Sequence, residues 1–111
     1  MDILKRTIID VPTALPEQEV AAKIAAFLLE NGFVKKRVYG EELYAKDPSL
    51  YQYFLTSHRH SYYFKIVFDK GVLHLEAFRL HKGWETAVTG GAYGRELLKK
   101  LQPILDEIRA N

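Results

Sequence analysis

The sequence predicts an α+β fold, a two-layer sandwich with a mostly antiparallel sheet of four to six strands and two helices on one face. Three observations lead there. One segment near the start of the chain and one at its end each carry a single apolar stripe at helical spacing. Between them, residues 61–80 alternate as a hairpin around "DKG". No internal repeat, low-complexity run or linker interrupts the 111 residues, so one domain over residues 1–111 is expected. Each helix has one stripe to bury, and both can bury it on the same side of a sheet.

The first element, "DILKRTIIDV", is read as a strand from its β-branched residues and from the stop at Pro12. Next, "TALPEQEVAAKIAAFLLENGF" has Pro16 in the first turn, Glu17 and Glu19 on the positive end of the helix dipole, and Gly32 after Asn31 as the stop. Val20, Ile24, Phe27 and Leu28 form its apolar stripe. "VKKRVYGEELYAK" reads as one strand with Gly40 as a bulge. "DPS" is a turn, and "LYQYFLT", residues 50–56, suits either a short strand or one helical turn.

The register of the central hairpin follows from its alternation. A two-residue loop at Lys70-Gly71 sets Phe68 against Leu73, Ile66 against Leu75 and Phe64 against Ala77, all on one face. The other face then carries Tyr63, Lys65, Val67, His74, Glu76 and Phe78, with Lys65 opposite Glu76 as a cross-strand ion pair. A slip of one residue would set Lys65 against Leu75. After the hairpin, Trp84 is expected to anchor the final helix from the core or its rim. Gly90, Gly91 and Gly94 serve a tight turn and close approach of that helix. Leu97, Leu98, Leu101, Ile104, Leu105 and Ile108 make its stripe, and Pro103 inside it predicts a kink or a break. The expected order is therefore β-α-β-(β)-β-β-(β)-α.

Composition narrows the functional classes. The chain has no cysteine, which excludes disulfides, thiolate metal sites and a cysteine nucleophile. "MDILKRTIIDVP" lacks the apolar core of a signal peptide, and no run is long enough for a membrane span, so a cytoplasmic protein is expected. A net charge of +2 is below that of a dedicated nucleic-acid binder.

No stretch carries a motif that specifies a chemistry. In "LTSHRHSYYFKIVF", His58 and His60 share a strand face, but a zinc site needs a third ligand, and His74, Glu76 and His81 have no spacing that supplies one. They read as the polar rim of a strand. His74 and Glu76 share a face as a base and its orienter would, yet Lys65 is the simpler partner for Glu76. "TGGAYGR" has neither the Lys-Ser/Thr of a P-loop nor a parallel βαβ lead-in, so no cofactor is expected. Arg59, Arg79 and Arg95 form one alternative, an anion or nucleic-acid module, with acidic residues breaking up the basic clusters, and a small enzyme or metal protein using the histidines near the sheet edge is the other. The first expectation is a non-enzymatic binding or regulatory domain. Its partner, another protein or a second copy of the chain, would dock on the helix-free sheet face around Tyr63, Lys65, Val67, His74, Glu76 and Phe78.

Overall fold

A computed structural model describes residues 6–48, 60–81 and 84–110. Six strands are described: β1 (Thr7–Pro12), β2 (Val34–Val38), β3 (Glu41–Lys46), β4 (Ser61–Asp69), β5 (Val72–His81) and β6 (Trp84–Ala87). Two helices accompany them, α1 (Glu17–Glu30) and α2 (Ala92–Ile108), the second preceded by a 3₁₀ turn at Val88–Gly90. The sheet runs β1-β5-β4-β3-β2 with every pairing antiparallel, and β6 continues along β5 where β1 stops. This is the α+β sandwich that the alternation and the two stripes predict.

One face of the sheet forms the core with both helices. Val20, Ile24, Phe27 and Leu28 of α1 and Leu97, Leu101, Leu105 and Ile108 of α2 are buried against Val11, Phe64, Leu73, Leu75 and Ala77. The β4–β5 register is the predicted one, from Asp69 opposite Val72 to Ser61 opposite Leu80. Lys70 and Gly71 both take positive φ, +51° and +79°, as a two-residue turn of the I′ kind requires.

The end of α1 shows how local chemistry fixes an element. Asn31 closes it by donating from Nδ2 to the Phe27 carbonyl at 2.8 Å, and Gly32 turns the chain at φ +88°. Lys46 of β3 then donates to the Asn31 carbonyl at 2.8 Å, placing a cation on the negative end of the helix dipole. The same Nζ lies 4.8 Å from the centre of the Tyr93 ring on α2 and donates to its hydroxyl.

Several expectations are corrected. Gly40 is not a bulge: Tyr39 and Gly40, at φ +50° and +80°, form a second two-residue turn, and the segment folds into the β2–β3 hairpin. A tyrosine in the left-handed region lacks the Asn-Gly signature that would have marked it. Pro12 closes β1 as its last residue instead of stopping the strand before it, which an edge strand tolerates. Trp84 is 77% exposed, because β6 lies on the sheet edge and Val88 of the 3₁₀ turn fills the core position instead. Helix α2 runs through Pro103 without a break, held on both sides by the buried Leu101, Leu105 and Ile108. Residues 50–56 lie outside the described residues.

Gly94 sets how closely α2 seats. A Cβ there would stand 1.8 Å from the Val88 carbonyl oxygen, a backbone atom that cannot swing aside. Gly94→Ala is expected to cost about 2–3 kcal/mol by overpacking, read as a lower urea midpoint; an unchanged midpoint would mean that α2 does not depend on this contact.

Candidate functional site on the helix-free face

The second face of the sheet has its own buried cluster, made of Leu43, Ala45, Tyr63 and Phe78 with Val38 and Leu80 packed against it. Strand alternation puts these residues opposite the helices. Phe78 and Tyr63, cross-strand partners, stack with ring centres 5.0 Å apart and planes 15° apart. On top of the stack lies the Arg6 guanidinium, 4.2 Å from the centre of the Phe78 ring.

Arg6 sits at the gap between β1 and β6 along β5, where β1 begins opposite Ala77 and β6 ends opposite Phe78. Its five N–H donors are all used. Nη1 and Nη2 donate to the two oxygens of Glu41 at 3.0 and 2.9 Å, a bidentate fork. Nε and Nη2 donate to the two oxygens of Glu85 at 3.1 and 3.3 Å, and Nη1 also donates to Glu76 at 3.1 Å. Lys65 joins from β4, donating to Glu41 at 2.9 Å. The network thus ties the start of β1 to β3, β4, β5 and β6.

Three carboxylates face two cations here, a formal charge of −1 held at a site where the Arg6 side chain is only 11% exposed. Hydrogen bonds from Arg6, then from Lys65, push the Glu41 carboxyl down to about 2. The same carboxylates hold the Arg6 guanidinium further above its ordinary value, with Glu41 the largest cause. Beside the network, burial raises the Tyr63 phenol. Asp47, which accepts from Lys36 and Ser61, is lowered first by Lys36.

The six residues expected on this face are all there, but they divide into two groups. Tyr63 and Phe78 are 5% and 2% exposed, so they support the surface instead of forming an open aromatic patch. Glu76 is held by Arg6, and Lys65 bonds Glu41 although its strand partner is Glu76. Glu76 accepts instead from the Arg6 fork. Towards the β4–β5 turn the face opens. There His74 is hydrogen-bonded through Nδ1 to Asp10 of β1, its cross-strand partner, and not to Glu76. Val67 stands on the other side of His74, half-buried, and Ile8 beside Glu76 is 61% exposed.

His60 and His74 stand far apart on the sheet. His60 precedes β4, while His74 pairs with Val67, seven residues further along that strand, about 23 Å at strand rise. His58 lies outside the described residues, and among the described residues no group of three His, Cys, Asp or Glu could hold a metal ion. Of the anion residues, Arg79 packs its guanidinium on Gly90 and Gly91, where a Cβ would come within 2.4 and 2.8 Å of it, and Nε donates to Thr86. Arg95 donates to the Thr89 carbonyl nearby, and Arg59 lies outside the described residues. Among the basic clusters, Arg6, Lys36, Arg37 and Lys65 are each paired with a carboxylate.

Arg6, Glu41, Glu85, Asp10 and Ile8 are the residues of this face that sequence reasoning missed. Arg6 and its partners are 35, 70 and 79 residues apart, beyond the reach of any local pattern. Alternation in β1 does place Ile8 and Asp10 on one face, and that was the available signal.

Among the described residues no helix is long and apolar enough to cross a membrane. The chain matches no protein-family model, and no curated protein or solved structure proves similar to it.

The depressed Glu41 fixes the direction of an acid effect. Its contribution to stability is complete above its ordinary value of 4.5 and is lost as pH falls towards about 2. Urea unfolding followed from pH 7 to pH 2 should show this loss. Arg6→Met keeps an apolar stem over Phe78 but removes the charge, and should cost about 3 kcal/mol at pH 7, as expected for carboxylates left without their cation. Its stability should then fall less steeply in acid. Superimposable curves for the two proteins would show that the network contributes nothing.

Proposed function

We propose that the chain is a non-enzymatic binding domain that docks through the open half of the helix-free face, and that its partner is a second copy of itself in the cytoplasm. The observation that carries this reading is Ile8, a large apolar side chain 61% exposed on a paired strand, on the same sheet face as the half-buried Val67. An apolar group on a face without a helix marks a surface that gains from being covered.

Charge supports a second copy as the cover. In register, Ile8, Glu76 and Lys65 form one row across β1, β5 and β4, and Asp10, His74 and Val67 form the next. Ile8 and Val67 stand at one pair of opposite corners, Asp10 and Lys65 at the other. A two-fold axis along the Ile8–Val67 diagonal sets each of those side chains on its own copy and brings Asp10 over Lys65 of the other chain. A surface that answers itself in this way suits an isologous dimer. The buried Tyr63–Phe78 stack borders the patch as the next row of the same face, and the absence of cysteine agrees with a reducing compartment.

Light scattering at micromolar concentrations tests this. The native chain should have the mass of a dimer, and Ile8→Glu that of a monomer with unchanged circular dichroism. A native chain that stays monomeric throughout, or an Ile8→Glu dimer, would overturn the reading.

A further inference from the structure

The helix side of the sheet is not wholly covered. Beyond α1, towards β3 and β2, a cavity of about 260 Å³ opens to solvent, lined by Ala21, Lys35, Glu42, Tyr44, Ile66 and Phe68 together with Leu43. Its walls follow from the topology. Ile66 and Phe68 belong to the core face of β4, yet they remain only partly buried because α1 presents the small Ala21 there. Tyr44 continues the same face on β3, with Lys35 directly opposite it on β2.

The rim charges do not cancel. On this face β2 and β3 bring together Lys35, Arg37 and Glu42. Glu42 is taken by Arg37 across the hairpin, Nη2 to Oε1 at 3.3 Å. Among the described residues no acceptor bonds Lys35 Nζ, and the Tyr44 hydroxyl likewise has no partner there. The cavity therefore has an apolar floor, one uncommitted cation at its mouth and one uncommitted hydroxyl donor, a combination that fits a ligand with an apolar body and a single anionic end. Its volume is below the range of drug-sized sites and holds about a dozen non-hydrogen atoms.

We propose that this cleft binds a small aryl or alkyl carboxylate, its apolar part on Ile66, Phe68 and Tyr44 and its carboxylate on Lys35. The site lies on the opposite side of the sheet from the self-association surface and does not depend on it.

The test uses 3-phenylpropanoate and its neutral amide, titrated into the ¹⁵N-labelled full chain and followed by amide chemical shifts. The acid should shift residues 21, 35, 44, 66 and 68, and bind roughly tenfold more tightly than the amide, as one charge-assisted bond at a partly exposed site allows. Lys35→Gln, on an exposed edge strand, should reduce the acid to the level of the amide without altering the remaining spectrum. Shifts centred elsewhere, equal affinity for acid and amide, or discrimination that survives Lys35→Gln would each overturn the proposal.

Discussion

A guanidinium has five N–H donors, and in this protein all five of Arg6 end on carboxylates from three different strands. That saturation is the constraint on which the helix-free face depends. β1 and β6 share one edge of β5 end to end, and neither extends far enough to cover it alone. Arg6 bridges the gap between them and binds it to the first residue of β3. Without the charge, Glu41, Glu76 and Glu85 would share a partly desolvated site with only Lys65 to offset them, a placement that low dielectric makes costly.

The two faces of the sheet are closed by different physics. On the helix side, apolar burial does the work: two stripes cover β1, β5 and β4 and leave a margin at β3 and β2. On the other side, the aromatic stack sits beneath a hydrogen-bonded charge network. Each arrangement ends before the sheet does. The uncovered margin on the helix side carries Lys35 and Tyr44, and the uncovered margin on the network side carries Ile8, Val67 and the Asp10–His74 pair. Both proposed binding surfaces occupy such a margin. The sheet edges themselves are guarded, β2 by Lys35, Lys36 and Arg37, and the end of β1 by Ala110, which donates to the Pro12 carbonyl at 2.8 Å.

What could be read from the sequence was what periodicity encodes. The stripe Val20, Ile24, Phe27 and Leu28 and the alternation from Phe64 to Ala77 specify their elements locally, and both hold in the structure. Alternation also assigned Lys65, Val67, His74 and Glu76 to the helix-free face. It could not show that Tyr63 and Phe78 are buried there, because their burial is a tertiary outcome. Nor could it find Arg6 as the partner of Glu76: opposite charges on adjacent strands suggested Lys65, but a fork with five donors at longer sequence range outcompetes one ammonium. Tyr39-Gly40 was missed because the turn uses a residue rarely seen at positive φ. Trp84 misled for a related reason, since size and hydrophobicity do not determine which side of an edge strand faces the core.

The most direct test of this account is a double-mutant cycle between Arg6→Met and Glu41→Gln, with unfolding free energies measured at neutral pH. A bidentate pair at the centre of the helix-free face should show a coupling of about 2 kcal/mol or more, within the range for residues sharing one network. A coupling near zero would mean that the two residues contribute independently, and that the helix-free face is held together by something other than Arg6.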